Sequence, residues 1–355
     1  MNTLSAQAGL DETRKFMKER LQGIVPDIEI EAKVEIAHEI NRLKHEMNAV
    51  ILGHNYMEPA LYHSIPDYTG DSLQLSSIAA KTTADIIVFC GVWFMGETAK
   101  ILNPQKTVLV PSEKAGCSLA EGISADDIRA LKAKFPGAVV VTYVNTYATS
   151  KAESDYCCTS GNADKVLSKL VEDGHKRIIF LPDAYLAENT ATQLGLPFLD
   201  SEADQKAFDA VPADQPLVIG WHAKCEVHEL FTTEDVANIR KQYQDAVILA
   251  HPECPPEVIQ LVDKSGSTKA MVDYVRDKDA PWYALLTECS MGDNLAAEFP
   301  HRRLVRACTL RCKHMNYITL EDTLAALKQC QYQVHLNETI RQQALLPIQR
   351  MLAIQ

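Results

Sequence analysis

Apolar residues in this chain gather in short unbroken runs instead of alternating with polar ones. Three runs resemble one another: AVILGHN from Ala49, AVVVTYVN from Ala138 and AVILAHPE from Ala246. A Val/Ile/Leu-rich run without polar interruptions is the pattern of a parallel strand covered on both faces. Each follows a helical stretch, respectively KVEIAHEINRLKHEMN, ADDIRALKAKFPG and TEDVANIRKQYQD. Two further runs come after each: DIIVFCGV then TVLVP, RIIFLPD then LVIGW, and WYALLTE then RLVRA. Helical stretches such as FMGETAKIL and NADKVLSKLVEDG lie between them. Strands alternating with helices predict parallel βαβ units with right-handed crossovers.

The chain therefore reads as α/β, with three similar units of parallel sheet flanked by helices at 31–118, 119–226 and 227–313. An extension covers 1–30, and a helical tail at 314–355 holds one helix from Leu320 and another from Glu338 to Leu352. No Gly/Ser- or Pro-rich linker separates the units, so they are expected to pack directly on one another. Copies two and three align without a gap, Ser124 over Thr232 and Asp127 over Asp235. A hydroxyl followed three residues later by an acid predicts a capped helix start in each.

Composition narrows the class. A length of 355 residues allows two or three domains, and 46% hydrophobic with 23% charged residues is an ordinary folded composition. The net charge of −12, with no basic stripe, argues against nucleic acid. The polar start has no signal-peptide core, and no apolar run approaches the roughly 20 residues of a membrane span. A soluble, cytoplasmic protein is expected. Ten cysteines in a reducing compartment point to metal or catalysis before disulfides.

Three cysteines stand out. Cys117, Cys225 and Cys312 each follow the last strand of a unit, and each precedes a capping Ser or Thr by seven residues (Ser124, Thr232, Thr319). An Asp stands three further on in every case, at Asp127, Asp235 and Asp322. None of the other seven cysteines has Ser or Thr at that interval. Working residues of α/β sheets collect beyond the carboxyl ends of the strands, so these thiols can converge on a pseudo-threefold axis. Three thiolates there suit an iron–sulfur cluster with one iron left open for Lewis-acid chemistry. Zinc on the same cysteines, as in a hydrolase, is the competing reading. An iron–sulfur sensor or scaffold is another, although no basic partner helix is visible. Cys90 and Cys289 read as buried, Cys157–Cys158 as packing or redox-sensitive, and Cys308 as outside the ligand set.

The first strand of each unit ends in polar chemistry: His54-Asn55-Tyr56, Tyr143-Val144-Asn145 and His251-Pro252-Glu253. Imidazoles can exchange protons or pair with a carboxylate near neutral pH, and Glu253 is the candidate general acid/base. Hydroxyl-rich turns at Gly70-Asp71-Ser72, Thr159-Ser160-Gly161-Asn162 and Ser265-Gly266-Ser267-Thr268 suit an anion at helix N-termini. His228 is a candidate substrate or supporting residue beside Cys225. No GxGxxG follows a strand, which argues against hydride transfer. Dehydration and condensation of a small anionic substrate fit the set.

The motifs GHNYMEP, GDSLQLS, CGVWFMGETAKIL, AGCSLAEG, YVNTYA, CCTSGNAD, WHAKCEVHE, HPEC, GST and RACTLRCKHMNYITLEDTL resemble the quinolinate synthases in order and spacing, from Ile51 to the C-terminal helix. The resemblance implies three α/β units around a [4Fe–4S] cluster held by Cys117, Cys225 and Cys312. It implies condensation of iminosuccinate (iminoaspartate) with dihydroxyacetone phosphate to quinolinate, for NAD biosynthesis, with release of phosphate and water. His54, Ser72, Tyr143, Val144, Asn145, Ser160, His251, Pro252, Glu253 and Thr268 match the family's substrate pocket, to which His228 and Ser267 are added from their positions. Glu253 and His251 would move protons while Tyr56 assists. The instability of iminosuccinate makes direct transfer from the aspartate oxidase that produces it attractive.

Overall fold

A computed structural model describes Leu4, residues 8–306 and residues 308–354. Among the described residues twelve strands form three sheets: β1 (Ala49–His54), β2 (Tyr68–Gly70), β3 (Ile86–Cys90), β4 (Thr107–Leu109), β5 (Val139–Tyr143), β6 (Tyr156–Cys158), β7 (Arg177–Leu181), β8 (Phe198–Asp200), β9 (Leu217–Gly220), β10 (Ala246–Ala250), β11 (Lys264–Ser265) and β12 (Trp282–Leu286). Their orders are β2-β1-β3-β4, β6-β5-β7-β9-β8 and β11-β10-β12, and every pairing between these strands is parallel. The expected α/β architecture of three helix-flanked parallel sheets is what the chain adopts.

The third sheet departs from expectation at its edge. Residues 303–306 form no strand; their contact with β12 is a single parallel bridge between Tyr283 and Leu304, closed by Tyr283 N–H to Arg303 O and Val305 N–H to Tyr283 O, both 2.8 Å. Beyond Val305 the chain is drawn off the sheet. Leu310 O takes the Cys289 N–H at 3.0 Å, and Cys308 is bonded through sulfur to Cys289.

The short edge strands β2, β6 and β11 share one device that the apolar pattern did not reveal. An aspartate precedes each, and its carboxylate accepts a backbone N–H of the unit's first strand: Asp67 from Ile51 at 2.8 Å, Asp155 from Val140 at 2.8 Å, Asp263 from Ile248 at 2.7 Å. The backbone N–H of each aspartate returns to the carbonyl of that same residue at 2.8, 2.9 and 3.0 Å. Two-way bonding of this kind fixes the register where a strand of two or three residues could not.

Burial along the strands assigns the faces. Val139, Val141 and Val218 belong to a core common to all three units, while Val140, Ile179 and Leu217 sit in a separate cluster on the other face. In unit three, Leu249 and Tyr283 join the common core, whereas Ile248, Ala250 and Ala284 form an outer cluster. The units are also joined by polar groups. Glu97, in the helix Trp93–Leu102 of unit one, accepts the Ala148 N–H of unit two at 2.7 Å. Within unit two, buried Lys151 donates to Val144 O at 2.9 Å. The tail helix Glu338–Ala353 packs across β6 and the helices Trp93–Leu102 and Ala148–Ala152, tying unit two to unit one.

A candidate active site at three cysteines

The three loops that carry Cys117, Cys225 and Cys312 are built alike. Each carbonyl accepts the N–H four residues on, from Glu121, Glu229 and Asn316, at 3.0, 3.0 and 3.1 Å. The carbonyl two residues before each cysteine (Ala115, Ala223, Leu310) accepts the first N–H of the helix after the unit's middle strand: Trp93 at 2.7 Å, Ala184 at 2.9 Å and Cys289 at 3.0 Å. Each thiol faces the amides two and three residues on: Leu119 and Ala120, Val227 and His228, His314 and Met315. All three cysteines line one cavity. The capped helices follow as expected, with full capping boxes at Ser124/Asp127 and Thr232/Asp235 and a capping hydroxyl at Thr319.

Burial pushes these thiols up, to about 12 for Cys117, about 11 for Cys312 and well above the ordinary thiol value for Cys225, while the amides pull the other way. Thiolates need compensation that the lining does not supply, since it contains neither Lys nor Arg. A cationic, soft metal group fits that deficit and this donor set.

Beside the sulfurs lies a buried proton network. His228 Nδ1 is 2.7 Å from Glu253 Oε2 and 3.2 Å from Cys225 Sγ. Its Nε2 is 2.9 Å from Thr287 Oγ1, which is 2.5 Å from the Tyr56 hydroxyl. One direction runs the length of the chain: Tyr56 donates to Thr287, Thr287 to His228 Nε2, and His228 Nδ1–H to Glu253 Oε2, while Glu253 Oε1 is left without a protein partner. Burial disfavours the Glu253 charge, but charge on His251 or His228 would oppose that, and hydrogen bonds from His228 and Tyr143 add to it, so the carboxyl lies below the usual carboxylate range. Burial drops His251 to about 3 and His54 to about 4, so both rings are neutral. The rings of His228 and His251 stack at 4.5 Å. In His54 and His251 alike, Nδ1 accepts the backbone N–H two residues on (Tyr56 at 3.2 Å, Glu253 at 3.4 Å), which leaves Nε2–H as the donor. His251 Nε2 lies 3.2 Å from Ser160 Oγ.

Helix starts supply the remaining wall. Ser72 opens the helix Ser72–Lys81 behind its cap Asp71, and Thr268 opens Thr268–Asp277 behind its cap Ser267. Asn55 Nδ2 bonds Thr268 Oγ1 at 2.9 Å, joining units one and three. Of the residues expected in the pocket, His54, Tyr56, Ser72, Tyr143, Asn145, Ser160, His228, His251, Glu253 and Thr268 line the cavity. Val144, Pro252 and Ser267 are buried behind it. Val144 O receives Lys151, Pro252 O receives Asn189 Nδ2 at 2.9 Å, and Ser267 caps its helix.

Sequence reading missed Thr287 and Glu288. They follow β12 directly, and the polar end of WYALLTE was their signal. Glu288 caps the helix Cys289–Glu298, and its Oε1 lies 3.4 Å from the Cys312 N–H. The expectation that cysteines serve metal or catalysis before disulfides needs correcting at one pair. Cys289, buried as expected, is bonded to Cys308 because the chain leaving the third sheet returns to the start of that helix. Cys90, Cys157 and Cys158 are free and buried.

The family model for quinolinate synthetase A protein (NadA) matches residues 38–353. Quinolinate synthase 2 of Mesorhizobium japonicum is 47% identical over 339 residues, 96% of this chain and 97% of that protein. Quinolinate synthase of Xylella fastidiosa is 45% identical over 315 residues, 89% and 86% of the two chains. That of Agrobacterium fabrum is 44% identical over 336 residues, 95% and 90%.

Proposed function

The chain belongs to the quinolinate synthase family, and from that premise we propose that it condenses iminosuccinate with dihydroxyacetone phosphate to quinolinate, releasing phosphate and water. The observation that carries the reading is the set of three equivalent cysteine loops opening on the cavity that holds Glu253. Cys117, Cys225 and Cys312 would hold a [4Fe–4S] cluster, whose open iron supplies Lewis acidity for loss of a hydroxyl group as water.

The chain's own residues bind the substrates and move protons. With no Lys or Arg in the lining, the substrate carboxylates are met by the helix starts at Ser72 and Thr268 and by hydroxyl and ring N–H donors. Neutral His54 and His251 each offer Nε2–H to an anion. Ser160, Tyr143 and Asn145 flank the same space, while Val144, Pro252 and Ser267 hold the strand and helix ends in place. Glu253, kept ionised by the hydrogen bonds it accepts from His228 and Tyr143, takes the proton in the condensation and dehydration steps. His228 keeps that carboxylate oriented, and Tyr56 stands at the far end of the hydrogen-bonded chain. Supply of the substrate by an aspartate oxidase and a cytoplasmic setting accompany this reading. Among the described residues no helix is long and apolar enough to cross a membrane.

The test is quinolinate formation by anaerobically purified, iron-reconstituted protein given dihydroxyacetone phosphate and freshly generated iminosuccinate, with Cys312→Ala beside it. Product from the intact protein and none from the variant is expected; no product despite full iron and sulfide loading refutes the proposal. A second reading, one zinc ion in a hydrolase, draws on Cys225, His228 and Glu253, whose ligand atoms all lie within 4.8 Å of one another. Stoichiometric zinc in a colourless active protein would favour it, and iron with sulfide would exclude it.

A further inference from the structure

The residue immediately after each cysteine, Ser118, Glu226 and Lys313, occupies the same place in its loop, and Glu226 reaches both of the others. Its backbone N–H lies 3.4 Å from Ser118 Oγ, and its Oε2 is 3.0 Å from Lys313 Nζ. Its Oε1 is 3.3 Å from Nε2 of His314, the next residue in the third loop. Loops one and two also meet directly: Trp221 Nε1–H donates to Gly122 O at 2.9 Å, and a Cβ at Gly122 would stand 2.9 Å from that of Ala223. Loops three and one meet at Gly116, where a Cβ would stand 3.5 Å from the His314 ring. The three loops thus form a closed ring of contacts around the sulfurs.

We propose that Glu226 is the latch of this ring, a positioning residue that holds the three cysteine loops together and so sets how fast the metal group is loaded and lost. The inference rests on the reading that these cysteines hold an iron–sulfur group. Glu226 is suited to the task because its Oε2 pairs with Lys313 of the third loop, its Oε1 lies beside His314 of the same loop, and its own backbone contacts the first. A cluster held by loops from three separate units leaves by way of their separation, since the ligands share no local stretch of chain. Lys313 is largely exposed and Glu226 only partly so, which makes each contact weak alone. Together they act on the same opening motion.

The experiment follows the decay of visible absorption of the anaerobically reconstituted protein after addition of a chelator. It compares the wild type with Glu226→Gln, Lys313→Met and the charge exchange Glu226→Lys/Lys313→Glu. Far-UV circular dichroism and the melting temperature confirm that each variant is folded. Glu226→Gln is expected to lose the cluster about fivefold faster, the size of effect an ion pair of this exposure supports. Lys313→Met should lie between it and the wild type, and the exchange should recover most of the difference. Decay of Glu226→Gln at the wild-type rate, or no recovery in the exchange, overturns the latch. Failure of the wild type itself to take up iron and sulfide would instead refute the underlying metal assignment, so the two failures are distinct.

Discussion

The loops that carry the cysteines and the ends of the first strands are both repeated three times, yet only the loops repeat their chemistry. Every loop has the same bond to the carbonyl two residues before the cysteine and the same bond from the residue four after it. The strand ends keep a shared backbone position but carry His54, Tyr143 and His251, followed by Tyr56, Asn145 and Glu253. Units one and three even repeat the imidazole bond to the amide two residues on, while unit two does not. The difference teaches how a repeated fold divides its work. On the proposed reading, a group held by all three cysteines needs three equal donors, so the loops are alike. A substrate without threefold symmetry then needs three unlike walls, so the strand ends differ.

The largest expected effect tests the equality of the loops. Cys117→Ala, Cys225→Ala and Cys312→Ala should each remove the broad visible absorption and lower quinolinate formation by on the order of a thousandfold or more. A variant that keeps both its colour and its turnover would show that the loops are alike in shape and unequal in use.

The next effect tests the inequality of the strand ends. Glu253→Gln should leave the visible absorption in place and lower kcat by about 10² to 10⁴, the usual worth of a positioned proton acceptor. Asn145→Ala, at the equivalent end of unit two, lacks a titrating group and should act mainly on KM. Equal losses of kcat in both variants, measured with saturating substrate, would erase the distinction.

A third contrast lies in the scaffold. Asp67, Asp155 and Asp263 make the same backbone bonds, but Asp67 also holds buried Lys44 at 3.0 Å. Asp67→Ala leaves an ammonium buried with only Ile65 O as its partner and should cost about 3 kcal/mol or more by denaturant unfolding. Asp155→Ala, losing hydrogen bonds alone, should cost about 1–2 kcal/mol. If the two costs agree, Lys44 adds nothing to unit one.

How much of this could be read from the sequence follows the same division. The first and middle strands were legible because residues such as Val139–Val141 and Ile178–Phe180 are buried on both faces and leave unbroken apolar runs. The cysteine set was legible because its interval to Ser124, Thr232 and Thr319 is fixed by the loop and the helix start that follows. The short edge strands were not, since β2, β6 and β11 are held by one aspartate each and carry too few residues to show a period. Thr287 and the Cys289–Cys308 bond were missed because each depends on residues that meet only after folding. That residues 303–306 meet β12 at a single bridge was equally hidden, since RLVRA has the composition of a strand.

The smallest expected effect bears most directly on whether the three loops are equal in energy as well as in form. Ser124 and Thr232 sit in full capping boxes, each accepting the N–H of Asp127 or Asp235 at 3.2 Å while the aspartate accepts the cap's own N–H at 2.8 Å. Thr319 accepts the Asp322 N–H at 3.0 Å and donates its hydroxyl to that carboxylate at 2.8 Å. Replacing any of the three by alanine removes one acceptor for an orphan amide and should cost about 1 kcal/mol. Because each cap stands seven residues beyond a cysteine, a cap that only stabilises its helix should lower the melting temperature and leave the rate of cluster loss unchanged. A cap that also braces its loop should raise that rate, and doing so in one unit alone would show that the ring of loops has a weakest side.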